Sequence, residues 1–184
     1  PVNAMSGGQM EMGFTLPCTI GVAYAAKDKM VFGITGDGSF QLNIQELQTL
    51  ANFKPNIKLI IWNNSGYLSI KSTQSRFFEG RKIGAGPESG LTFPDTSKIA
   101  KAYGLPFKRV SKAKTLGTCL EWLKSFKGPA ILEVICQTEQ EIIPTAASKT
   151  LDDGSMVSTP LEDMYPFLDE KEFLENMIVK PIKI

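Results

Sequence analysis

The chain contains no histidine. That excludes a histidine-based triad, a histidine general base or a histidine-ligated zinc site within these 184 residues. Cysteine is scarce: Cys18, Cys119 and Cys136 are scattered without metal-ligand spacing and read as reduced core residues. No stretch approaches the roughly 18 apolar residues of a membrane span. Charge of either sign is not in excess, with 20 Lys and Arg against 19 Asp and Glu. Neither nucleic acid nor an anionic membrane is therefore an expected partner. There is no internal repeat, and no GxGxxG follows a strand, which argues against a dinucleotide-binding dehydrogenase domain. The remaining composition, 42% hydrophobic and 21% charged, suits one domain with a substantial core. Reduced thiols fit a cytoplasmic location. The chain opens at Pro1 rather than methionine and reads as a piece of something longer.

The patterning alternates helix and strand. A helix is predicted from about Leu16, with Pro17 in its first turn, where a missing N–H costs nothing. The apolar run Val31 to Thr35 reads as a strand that ends in a "GDGS" turn. Ile44, Leu47, Leu50 and Ala51 share one helical face, and Asn43 with Glu46 has the spacing of a capping pair. Ile57 to Trp62 is apolar enough for a strand buried on both faces. Residues 65–94 hold room for one short helix and are then rich in Gly and Pro. A helix capped by Asp95 and ended by Gly104 follows, then the strand "FKRV", a helix with Leu116, Leu120, Leu123 and Phe126 on one side, and the strand "AILEVI". The expected fold is α/β, a doubly wound, mostly parallel sheet with helices on both faces, over residues 1–139. Residues 140–184 form an extension with a predicted helix near Asp169 to Met177. Its apolar Met164, Tyr165, Phe167, Leu168 and Phe173 predict docking on another surface.

In a parallel strand–helix–strand unit both strands end at one edge of the sheet, where ligands bind in such folds. Asp37 lies just past the first strand, and Asn63 and Asn64 lie just past the second. A simple turn is the ordinary reading of "GDGS" taken alone. Together, however, these residues offer hard oxygen donors suited to Mg²⁺ or Ca²⁺ rather than zinc or copper. One carboxylate cannot neutralise a divalent ion, and Mg²⁺ in such sites completes its shell with phosphate and water. Gly36 and Gly38 would let backbone N–H groups approach that phosphate, Ser39 would donate to it, and the helix expected from Asn43 would add its positive end. The ligand inferred from the residues is a metal-bound diphosphate.

"GDGSFQLNIQELQTLANFKPNIKLIIWNNSGY" resembles the split cofactor motif of thiamine diphosphate-dependent enzymes, GDG followed after a long spacer by NN. Nearly the whole chain is similar to the C-terminal, diphosphate-binding domain of the acetolactate synthase and pyruvate decarboxylase group. The resemblance implies that Asp37, the Asn64 side chain and the Gly66 carbonyl bind Mg²⁺, while Gly38 and Ser39 hold the diphosphate. "EMGFTLP" resembles the family's "TMGFGLP" and implies that Met12 wedges thiazolium against aminopyrimidine in the cofactor's bent form. The Met10 carbonyl would accept from its 4′-amino group. A core methionine is the alternative for Met12. Tyr67, Ser69 and Ile70 would face the reacting carbon or anchor the loop, and "PLEDMYPFL" would close over the site as the tails of relatives do.

The family's activating glutamate, which drives ylide formation, lies on a pyrimidine-binding domain that this chain lacks. No catalytic residue is therefore expected here, and Glu46, in its expected capping role beside the diphosphate, is at the wrong end of the cofactor to substitute. The resemblance implies the last part of a three-domain enzyme whose site is completed across a homodimer or homotetramer interface. A 2-oxo acid such as pyruvate is the implied donor, and FAD is a possible cofactor of the full-length protein. Acetolactate synthases carry a tryptophan where Thr73 stands. "SIKSTQSRFF" instead resembles acetolactate synthase-like proteins encoded with bacterial surface-sugar pathways, some of which add a two-carbon unit to a keto sugar. A non-catalytic interaction domain of the same fold remains a further alternative.

Overall fold

Pro17 stands in the first turn of α1 (Thr15–Ala26), which turns Leu16, Thr19 and Ala23 inward. β1 (Val31–Gly36) alternates buried and exposed residues, as an edge strand with one covered face does. These and the elements below come from a computed structural model that describes residues 11–27, 29–141 and 143–181. The chain does not turn at "GDGS". Gly36 stays extended, with φ −79° and ψ 159°, and Asp37 opens the short helix α2 (Asp37–Gln41).

The helix expected from Asn43 is broken, because a 3-10 turn over Ile44–Glu46 precedes α3 (Leu47–Phe53). The expected capping pair does not form. Asn43 Nδ2 donates instead to the Gly13 carbonyl at 2.9 Å, and Glu46 accepts from the Thr49 hydroxyl. Asn43 is recruited by a distant loop, and a long-range partner outcompetes the local one.

β2 (Ile57–Asn63) is buried over its first five residues, as predicted, but Trp62, expected to be buried with them, is exposed. α4 (Leu68–Phe77) is the short helix expected in the Gly-rich region. α5 (Thr96–Ala102) is capped by Asp95, whose carboxylate accepts from Ser97 N and Lys98 N. Gly104 follows at φ +65°. β3 (Phe107–Val110), α6 (Leu116–Lys124) and β4 (Ala130–Ile135) complete the pattern.

The four strands form one parallel sheet in the order β1-β2-β4-β3. Odd-numbered residues of the two central strands, Ile57, Leu59, Ile61 and Ile131, face a core built with α1, α3 and α5. Even-numbered Ile60, Ala130 and Leu132 face a second core built with Cys119 and Leu123 of α6. Helices thus cover both faces. The second face is incompletely covered, and Phe32, Ile34 and Trp62 lie exposed on it. Lys58 lies wholly buried within β2, its ammonium donating to the carbonyls of Phe126 (2.7 Å) and Gly128 (2.5 Å) just past α6.

The chain divides into two compact units, the second running from Glu141. This second unit holds a hairpin that the sequence reading missed, β5 (Ser148–Thr150) against β6 (Met156–Ser158). Its strands are too short and polar to show periodicity. The turn between them is "DDGS", where Asp153 accepts from Ser155 N and Gly154 takes φ +81°. α7 (Glu170–Asn176) follows its Asp169 cap, close to the predicted bounds. Among the described residues no helix is long and apolar enough to cross a membrane.

Candidate functional site

Gly36 of β1 pairs with Trp62 of β2, so the segments that leave these strands emerge side by side. Asp37 is 3% exposed. Its Oδ2 accepts from the backbone N–H of Gly66 at 3.1 Å, and its Oδ1 is buried with no partner among the described residues. Burial raises the Asp37 pKa above its ordinary value, while backbone N–H groups of Gly66, Gly38 and Ser65 oppose the rise. Cys136 sits close enough that burial and the Asp37 charge both push its thiol pKa upward.

The "NNSG" turn is built from Asn63. Its Oδ1 accepts from Ser65 N at 3.0 Å, an Asx turn that carries Ser65 to φ +59° and Gly66 to φ +150°. Only glycine suits the latter. A Cβ on Gly66 would also stand 2.2 Å from the Ala85 carbonyl, which accepts from Tyr67 N. Asn64 follows with its Oδ1 buried and, like Asp37 Oδ1, without a partner.

Two orphaned oxygens at neighbouring strand ends fit a hard cation. They do not fit zinc or copper, because the donors are a carboxylate and amide oxygens. Among the described residues no group of three His, Cys, Asp or Glu side chains could cage a metal. An ion here must draw ligands from elsewhere, as Mg²⁺ does when it shares phosphate oxygens and water.

The segment before α1 forms a second wall. Gly13 N donates to Ser39 Oγ at 2.9 Å, which leaves the Ser39 hydroxyl hydrogen free to donate in turn. With the Asn43 bond to the Gly13 carbonyl, this clamps "MGF" against α2. Met12 is 43% exposed, so it is not a core methionine. Met10 lies outside the described residues. Beside the expected approach of phosphate, Gly38 has a steric reason of its own to lack a side chain. A Cβ there would stand 2.2 Å from the Tyr67 ring and 3.1 Å from Phe93. Tyr67 is half-buried, packed edge-on to Phe93 with centroids 5.5 Å apart, whereas Ser69 and Ile70 are exposed. A Cβ on Gly36 would meet no atom of the described residues closer than 4.0 Å. A cleft of about 720 Å³ between Tyr24, Phe53 and Asn56 lies at the opposite end of β2 and is not this site.

One buried group at the site was missed. Glu133, inside β4, accepts from Asn63 Nδ2 and from the Thr96 hydroxyl, each at 2.7 Å, and pairs with Arg109. Its signal was a lone carboxylate in the apolar run "AILEVI".

Residues 2–134 match the family model for the thiamine pyrophosphate enzyme C-terminal TPP binding domain. The mitochondrial acetolactate synthase catalytic subunit of Aspergillus candidus is 36% identical over 139 residues, covering 76% of this chain and 20% of that protein. The acetolactate synthase large subunit of Cyanidium caldarium is 34% identical over 142 residues, covering 77% and 24%. Among solved structures, a thiamine diphosphate-dependent 4-hydroxybenzoylformate decarboxylase from Rhodococcus jostii RHA1 superposes with a TM-score of 0.63. It is 26% identical, with 71% of this chain and 24% of that one covered. This chain therefore spans about a quarter or less of these relatives' length. A parallel sheet whose neighbouring strand tips carry GDG and NN, matched over most of its length by this family, belongs to the thiamine pyrophosphate enzymes as a C-terminal TPP-binding domain similar to acetolactate synthase.

Proposed function

We propose that this chain holds the diphosphate of thiamine diphosphate, with Mg²⁺, in a 2-oxo acid decarboxylase or carboligase resembling acetolactate synthase. The observation that carries this reading is the pair of buried, partnerless oxygens, Asp37 Oδ1 and Asn64 Oδ1. An unsatisfied buried polar group costs about 1–3 kcal/mol, and a cation ligated by both oxygens removes that cost. Asp37, Asn64 and the Gly66 carbonyl hold the ion. Gly36, Gly38 and Ser39 bound the diphosphate, Ser39 through its free hydroxyl hydrogen. Met12, with Met10 before it, supports the rings. Tyr67, Ser69 and Ile70 border the space where the donor reacts. When bound, the cofactor supplies the electron sink for decarboxylation.

The activating glutamate belongs to a pyrimidine-binding domain outside this chain, contributed by a partner subunit of a homodimer or homotetramer. Glu46 does not replace it, since its carboxylate is engaged by Thr49. Pyruvate or a similar 2-oxo acid is the donor, and any FAD belongs to a domain outside this chain. Calorimetry on the full-length protein tests the reading. Thiamine diphosphate binds only with Mg²⁺, and Asp37→Ala abolishes binding while leaving the far-ultraviolet spectrum unchanged. NAD binding, or no binding of either ligand, favours a nucleotide-binding or interaction domain instead.

One observation supports a second reading of the acceptor. By the resemblance, Thr73, exposed on α4, stands where acetolactate synthases carry tryptophan, and the smaller side chain suits an acceptor larger than a second 2-oxo acid. A keto sugar that receives a two-carbon unit is such an acceptor. In a screen of donors and acceptors on the full-length enzyme, preference for a keto sugar supports this reading, and acetolactate as the sole product rejects it.

A further inference from the structure

We propose that Glu133 is a positioning residue for the cation turn and acts through Asn63; this rests on the reading of that turn as a Mg²⁺ site. Glu133 is fully buried and belongs to a strand that is otherwise apolar at its buried positions. A carboxylate in such a place is weak evidence of a stabilising role, since well-packed apolar residues often replace buried ion pairs without loss. Its contacts show another use.

Glu133 Oε1 accepts from Asn63 Nδ2 and Thr96 Oγ1. Its Oε2 accepts from Arg109 Nε, and Arg109 in turn reaches Asp95, the cap of α5. Glu133 is paired across the sheet with Arg109 on one side and Ile61 on the other, which fixes the carboxylate two residues below Asn63. An ionised carboxylate can only accept. The Asn63 amide must therefore keep its nitrogen toward Glu133 and its oxygen toward Ser65 N, because the flipped amide would set oxygen against oxygen. That orientation makes the Asx turn, carries Ser65 and Gly66 to positive φ, and delivers Gly66 N to Asp37 Oδ2. A charge beneath the sheet edge thus decides how the turn that presents Asn64 is folded. Residues that orient a metal's ligands characteristically change its affinity about 10- to 100-fold.

The test uses the full-length protein with thiamine diphosphate and Mn²⁺, whose electron paramagnetic resonance reports bound metal. Glutamine at position 133 has one oxygen and cannot serve both Asn63 and Arg109. Glu133→Gln is expected to weaken Mn²⁺ binding about 10-fold or more. Asn63→Ala should do the same, and the double variant should be no weaker than Asn63→Ala alone. Thr96→Val removes a bond to the same carboxylate without touching Asn63; its melting temperature should fall while Mn²⁺ affinity stays within about 2-fold of wild type. If Glu133→Gln does not fold, Glu133→Asp keeps the charge and shortens the reach, and is expected to lose affinity likewise. Wild-type affinity in a folded Glu133 variant, additive losses in the double variant, or an equal loss in Thr96→Val overturns the proposal. Failure of the wild type to bind Mn²⁺ with the cofactor is a separate result, which defeats the cation reading and this proposal with it.

Discussion

Asp37 and Gly38 are adjacent in sequence, yet different forces determine them. Asp37 was legible because a strand–helix–strand crossover sets it at one sheet edge with Asn63 and Asn64, a grouping that a simple turn does not require. Gly38 was legible as a glycine but not for its cause, the Tyr67 ring brought against it from the next strand's turn. Gly38→Ala must displace that ring, and overpacking of this kind costs about 1–3 kcal/mol. Urea denaturation is expected to show that loss in the wild-type background and most of it removed in Tyr67→Ala, since residues in contact do not add. Lys58 was hidden altogether, because a lysine in "IKLIIW" gives no sign of its partners. Lys58→Met strands the carbonyls of Phe126 and Gly128, with an expected cost of about 1–3 kcal/mol for each that finds no water. The same denaturation series measures it.

At the scale of elements, signals within a few residues of one another were reliable. The Asp95 cap of α5 is one. The Ser97 hydroxyl, the Arg109 guanidinium and two backbone N–H groups hold the Asp95 carboxylate well below its ordinary value of 3.8. A carboxylate with a depressed folded pKa binds protons more readily when unfolded. Its stabilisation is present above the unfolded value and is lost as pH falls through the folded one. The wild type should therefore lose melting temperature more steeply below about pH 4 than Asp95→Asn, whose cap does not titrate. Parallel melts across the acid range measure the difference. Asn43 shows the opposite case. Its spacing to Glu46 satisfied the local rule, but Gly13 offered a carbonyl from far away in sequence. The β5–β6 hairpin failed for want of length, since three-residue strands carry no usable period.

For the whole molecule, the parallel sheet brings two distant motifs to one edge and leaves Phe32, Ile34 and Trp62 exposed on a face that α6 covers only in part. The chain also spans a small share of its relatives. If activation depends on a glutamate in another domain, purified 1–184 should show no turnover of pyruvate with thiamine diphosphate and Mg²⁺, while the full-length protein does. Robust turnover by the isolated chain would contradict that division of labour.

The sequence by itself determined the alternation of helix and strand in the first unit, the parallel pairing and the two motifs at the strand ends. Those follow from periodicity and from the geometry of a strand–helix–strand crossover, which are local or nearly so. The tertiary structure alone decided that Asp37 Oδ1 and Asn64 Oδ1 lack partners, that Tyr67 crowds Gly38, and that Glu133 holds the Asn63 amide. Each of these depends on atoms from segments far apart in the chain, and a linear pattern does not encode which side chains a folded sheet will press together.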